Sequence, residues 1–154
     1  MRAPVIITML TALLIPLKSL AAVPVYSAEY AGPGLYASLN GTGVVIGNQS
    51  IGPGQPWVNN GSGPQDLPLP DGVLGGRVSD INDKGLIVGT VYPDGQVTSD
   101  LPVIWTPDGT GGYEVEMLPL AGSATRGTAV AINNLGQILV SGFMIDGVLP
   151  TYRA

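Results

Sequence analysis

Asp80-Ile81-Asn82-Asp83-Lys84-Gly85-Leu86-Ile87-Val88-Gly89 reads as a β-hairpin. Asn82 opens the turn, because asparagine tolerates the left-handed region and hydrogen-bonds its own backbone. Gly85 closes it, taking a positive φ without steric cost. Arg77 to Ile81 is the entering strand and Leu86 to Val91 the return strand, rich in β-branched residues. The same frame recurs as Ser38 to Gly47 (SLNGTGVVIG) and as Ala131 to Gly142 (AINNLGQILVSG). Its asparagines, Asn40, Asn82 and Asn133, are spaced by 42 and 51 residues. A second register agrees: Leu67-Pro68-Leu69 and Leu118-Pro119-Leu120 each begin 15 residues before the next asparagine. Repeat length varies only downstream of the glycine, as loop insertions between fixed strands would make it vary.

Outward from that hairpin, Pro93-Asp94-Gly95 makes the next turn, with proline presetting φ. A third strand runs from Val97 or Val103 to Trp105, and Pro107-Asp108-Gly109 turns again. Tyr113 to Met117 alternates apolar and acidic residues, the period of a strand with one buried face. The unit is a four-strand antiparallel meander of about 40 to 50 residues, the size of one propeller blade. The chain outside its first residues has no helical periodicity. The expected fold class is therefore all-β, a partial propeller-like or open β-repeat array with repeats near residues 25–66, 67–117 and 118–154. Asn40, Gly43, Trp57, Asn82, Gly85, Gly89, Trp105, Asn133 and Gly136 are its structural repeat positions.

The frame of an apolar residue, Asn, two variable residues, Gly and a β-rich run ending in Gly is followed by Trp57, Trp105 or Tyr152 and then by Leu-Pro-Leu. It resembles the HAF-type extracellular repeat of exported bacterial proteins. Asn82, Gly85, Gly89, Trp105, Asn133 and Gly136 stand where that motif has its fixed residues. The His-Ala-Phe triplet of the family is replaced by Pro56 before Trp57 and by Val103-Ile104 before Trp105. The resemblance covers most of the chain after about Val25 and implies a fold and an extracellular location. It carries no activity.

The N-terminus has the three parts of a secretory signal: Arg2, an apolar run from Val5 to Leu17, and the small-residue site Ser19-Leu20-Ala21. Pro16 breaks the run and Lys18 bounds it, short of the ~20 residues needed to cross a bilayer, so no transmembrane anchor is expected. Residues 1–21 read as a signal peptide and 22–154 as the β-repeat domain. Without Arg2 and Lys18, four basic residues face eleven acidic ones, a net charge of −7. That balance offers no footprint for nucleic acid. The absence of cysteine and histidine excludes disulfides, thiolate or Ser-His-Asp nucleophilic sites, and His- or Cys-ligated metals.

The remaining candidates for chemistry are few. Asp80 to Gly85 begins like a calcium loop, but Lys84 fills its fifth position and no Glu stands at the twelfth. Trp57 and Trp105 could stack on a sugar, although one Trp flanked by valine and isoleucine suits a plug between blades better. Asp94 and Asp100 flank a loop and could form the acid pair of a glycosidase, although solvated loop carboxylates are far commoner. Arg77 and Arg126 are isolated and are assigned to solubility. The asparagines of Asn40-Gly41-Thr42, Asn48-Gln49-Ser50 and Asn60-Gly61-Ser62 match the glycosylation sequon.

These features predict an exported, non-enzymatic binding or envelope-associated module, secreted or periplasmic, with an unknown surface ligand or protein partner and no cofactor. The alternatives are a hydrolase of extracellular polysaccharide and a piece of a longer propeller. With two and a half units, self-association through open strand edges is also expected.

Overall fold

In the computed structural model the described residues are 30–50, 53–96, 98–120, 122–143 and 151–153. The expected signal peptide and its cleavage site lie outside them. The described residues form eleven strands and no helix, arranged as three antiparallel sheets. The first sheet holds β1 (Leu35–Leu39), β2 (Val45–Asn48), β3 (Pro56–Asn59) and β4 (Pro64–Asp66). The second holds β5 (Gly76–Ile81), β6 (Ile87–Val91), β7 (Leu101–Pro107) and β8 (Tyr113–Met117). The third holds β9 (Arg126–Ile132), β10 (Ile138–Phe143) and β11 (Thr151–Arg153). Every strand pairs with its neighbour in sequence, so each sheet is a meander, and no sheet closes on itself. The third strand of the second sheet starts at Leu101, between the two starts the sequence allowed, and runs on to Pro107.

One hairpin opens all three sheets. Gly43, Gly85 and Gly136 have φ of +88°, +80° and +85°, the left-handed conformation that the Asn-x-x-Gly frame predicts. Each donates its N–H to the asparagine carbonyl three residues back, at 3.0–3.1 Å. A bulge follows at one fixed place, leaving Ala37, Ser79 and Val130 as the extra residue of their strands. Beside it the chains approach so closely that a Cβ on Gly89 would stand 2.1 Å from the Arg77 carbonyl oxygen. Register places Val140, and not Gly142, where Gly47 and Gly89 stand. Nothing in the structure explains how the third hairpin accepts a valine there.

The Leu-Pro-Leu register acquires a physical cause. Leu67 donates its N–H to the Pro56 carbonyl at 2.9 Å, and Leu118 to the Pro102 carbonyl at 2.8 Å. The second leucine of each triplet then lies over a glycine in the first two residues of the next sheet. A Cβ on Gly76 would stand 3.0 Å from Leu69 Cδ2, and one on Gly127 would stand 2.7 Å from Leu120 Cδ2.

The sheets pack face to face in chain order. Ile46, Val58, Val78, Ile87 and Trp105 fill the layer between the first and second sheets. Val88, Ala129, Ile132, Ile138 and Val140 fill the layer between the second and third. The middle sheet is thus covered on both faces, which is why β6, Thr90 included, is buried along its whole length.

The two tryptophans are both fully buried, so neither ring face is free to stack on a sugar. They occupy different register positions. Trp57 faces Gly47 across the ladder, whereas Val103 faces Gly89 and Trp105 faces Ile87, two residues further along. A two-residue offset keeps the ring on the same side of the sheet. Both indoles are fixed alike by the segment entering their own sheet: Trp57 Nε1 donates to the Pro33 carbonyl at 2.8 Å and Trp105 Nε1 to that of Pro68 at 2.7 Å. The true counterpart of Pro56 is Pro102, for both are buried and both accept the leucine N–H described above.

Candidate functional site

The repeat asparagines join the sheets and do not form a ligand ring. Within each turn the side-chain Oδ1 accepts two main-chain N–H groups: those of Thr42 and Val44 for Asn40, of Lys84 and Leu86 for Asn82, and of Leu135 and Gln137 for Asn133. The amide nitrogen then reaches the next sheet. Asn40 Nδ2 donates to the Asn82 carbonyl at 2.9 Å, and Asn82 Nδ2 to the Asn133 carbonyl at 3.0 Å. Asn133 Nδ2 instead donates to its own Gln137 Oε1 at 2.8 Å.

The carboxylates that resembled a calcium loop strengthen the same seams. Asp80 accepts from Ser38 Oγ with one oxygen and from the Ile132 N–H with the other. Asp83 accepts from the Gly41 N–H and from Asn134 Nδ2. Four hydrogen bonds to neighbouring sheets occupy these acids, so they are structural partners here. Two of the three sequons are likewise built into the fold, since Asn40 and Asn48 are buried.

Asn48 shows how one seam is sealed. Its amide accepts the Val78 N–H at 2.8 Å and donates to the Val78 carbonyl at 3.2 Å, bridging the first and second sheets. The residue at the same register position of the second sheet is Thr90, opposite Arg77 as Asn48 is opposite Leu35. Threonine is shorter, and Thr90 Oγ1 is buried without a hydrogen-bond partner. Where asparagine closes the first seam, the second keeps a cleft of about 320 Å³.

Arg77 and Ser79 of β5, Thr90 of β6 and Thr128 of β9 line this cleft, with Tyr92 and Asp100 from the two ends of the β6–β7 loop. That loop is held by local chemistry. Asp94 Oδ1 accepts from the Ser99 hydroxyl and from the Gln96 N–H at 2.9 Å, and these bonds hold its carboxyl below the usual range. At the far end the Asp100 carbonyl accepts the Gly127 N–H at 2.8 Å, tying the loop to β9. Arg126 Nη1 donates to the Thr98 carbonyl at 2.8 Å.

The cleft has an unusual electrostatic character. Burial pushes the Asp100 carboxyl up, only partly offset by Arg126, and Asp100 Oδ1 is buried with no partner. Burial also raises the Tyr92 phenol, with the Asp100 charge adding and Arg77 opposing. Two buried oxygens without hydrogen-bond partners on residues lining one cleft are a feature that native structures rarely keep without a reason. Arg77 and Arg126, assigned to solubility from the sequence alone, both bear on this site.

The acid pair read from the sequence separates. Asp100 lines the cleft, while Asp94 is solvent-exposed and engaged in its own loop. The lining residues include a single carboxylate, Asp100. The cleft left one signal in the repeat pattern, Thr90 where the first copy has Asn48, because its residues stand where the copies differ. No family model, no curated protein and no solved structure matches this chain.

Proposed function

We propose that this is an exported, non-enzymatic β-repeat protein that acts as a binding module, taking a small polyhydroxylated ligand between its second and third sheets. The observation that carries the reading is the pair of buried oxygens without partners, Thr90 Oγ1 and Asp100 Oδ1, beside Arg77 and Tyr92. A cation, a phenol, hydroxyls and a carboxyl group line one cleft and supply donors and acceptors together. A sugar hydroxyl needs both at once. The volume suits a ligand of a few rings at most, at the lower end of the ~300–1,000 Å³ of small-molecule sites. Export is supported by the leader pattern from Arg2 to Ala21, and the HAF-type resemblance supports the same extracellular or envelope setting. N-terminal sequencing of secreted protein should begin near Ala22.

The raised Asp100 carboxyl favours a second reading, hydrolysis of an extracellular polysaccharide with Asp100 as general acid. Glycoside hydrolysis generally needs a second carboxylate across the scissile bond, so binding is the better account.

Thr90→Asn tests the binding reading. By repeat equivalence the longer side chain seals the seam as Asn48 does, so the variant should unfold at the same or a higher temperature. Thermal shifts measured with a panel of mono- and disaccharides should show at least one sugar stabilising the native protein and not the variant. If no sugar shifts the native protein, or if the variant responds equally, the cleft is not a binding site. Product release from the stabilising sugar's glycosides would favour the hydrolase.

A further inference from the structure

The two seams within the chain fix what each kind of sheet face looks like when it is covered. On the face that looks back along the chain, Val78 and Ala129 are 1% and 0% exposed, and Ile81 and Ile132 are 5% and 7% exposed. Register places Tyr36 and Leu39 of the first sheet at these same positions, and they are 54% and 67% exposed. On the face that looks forward, Ile46 and Val88 are fully buried, whereas their counterpart Leu139 is 39% exposed. The asparagine ladder ends in the same way: Asn40 and Asn82 are buried, and Asn133 is exposed. The first sheet therefore presents a backward face left open at Tyr36 and Leu39, beside the part that residues 31–34 cover over Trp57, and the third an open forward face. These are the two halves of a seam the chain already makes twice.

We infer that these halves meet between two copies of this chain. The third sheet of each copy packs on the first sheet of the other, and the two form a closed ring of six sheets. Leu139 then fills the apolar groove of about 410 Å³ bordered by Tyr36, Leu39 and Val45. Asn133 Nδ2 leaves Gln137 and donates to the partner's Asn40 carbonyl, as Asn82 does to that of Asn133. The contact is heterologous, so it must either close or grow into a filament. Six sheets fall within the roughly four to eight blades of closed propellers. The flanking bonds made by Asp83 are not reproduced, because Gly41 has no side chain to receive the Asn134 N–H. Pairing between chains is accordingly weaker than the seams within one and reverses on dilution. The inference does not depend on any ligand in the Thr90 cleft.

Leu39→Asp and Leu139→Asp separate the two faces, and because both side chains are exposed each variant should fold. Sedimentation of the mature chain over a dilution series should show a monomer and a species of twice its mass. Each variant alone should remain monomeric. Mixed in equal amounts, they should form a one-to-one dimer, because each retains the face the other has lost. A native chain that is monomeric at every concentration overturns the inference, as does a filament. So does association that persists in either variant alone, which would indicate pairing of like faces or of strand edges. Retention of the native circular dichroism and of cooperative unfolding guards against misfolded variants.

Discussion

At the level of single residues, the turn glycines and their neighbours separate backbone geometry from side-chain chemistry. Gly85 lies at φ +80°, and a Cβ there would also stand 3.3 Å from Pro107 Cγ. A β-branched residue meets both penalties, so Gly85→Val should destabilise by at least the roughly 1–2 kcal/mol that the left-handed region costs an L-residue. Lys84 is exposed, and its role in the turn is played by its main-chain N–H, which donates to Asn82 Oδ1. Lys84→Ala should stay within about 0.5 kcal/mol of the native protein. Urea denaturation of both variants checks this, and equal midpoints would mean that the turn does not impose its conformation. This much of the site was legible in the sequence, because an Asn-x-x-Gly turn states its own backbone requirements. The tryptophans were not legible in the same way. Trp57 and Trp105 look equivalent as letters, yet the ladder sets them two residues apart, and sequence spacing does not fix a register across a loop of variable length.

At the level of the elements, the hairpins carry more than their own turns, since the asparagine amides are the rungs between sheets. Asn82 and Asn133 do the same work inside their turns and different work outside them. Asn82→Asp keeps the acceptor for Lys84 and Leu86 but loses the donor to the Asn133 carbonyl, and it places a buried charge against that oxygen. The cost should be about 1–3 kcal/mol or more. Asn133→Asp loses only an exposed bond to Gln137, and in the dissociated chain it should cost less than about 0.5 kcal/mol. Chemical denaturation of the two variants under dilute conditions measures the difference, and equal losses would reduce the rung between sheets to a bystander. The strand pattern foretold the meander because period-2 alternation and Pro-Asp-Gly turns are local signals. The cleft escaped it because Thr90, Arg77 and Asp100 come together through tertiary packing. The one available clue was that Thr90 replaces Asn48 in an otherwise similar hairpin.

For the whole molecule, three stacked sheets make stability a sum of sheet and seam terms, with the ends held by fewer seams than the middle. The second sheet has a seam on each side. The third has one, and its forward face carries the exposed Leu139 and Asn133. The first also has one, but its backward face is partly covered by residues 31–34: Gly32 packs on the Trp57 ring, Pro33 accepts the indole N–H, and Asn59 Nδ2 donates to the Ala31 carbonyl. Local opening should therefore follow an order that differs from the order in sequence. In the dilute chain, amides of β9 and β10 should exchange fastest, those of β1 and β2 at an intermediate rate, and those of β6 and β7 slowest, as native-state hydrogen exchange would read it. Raising the concentration should then slow β1 and β10 together, with little change in β6, because the ring contact covers the first and third sheets at once. Uniform exchange across the three sheets in the dilute chain would instead mean a single cooperative unit, with seams strong enough that no sheet opens alone.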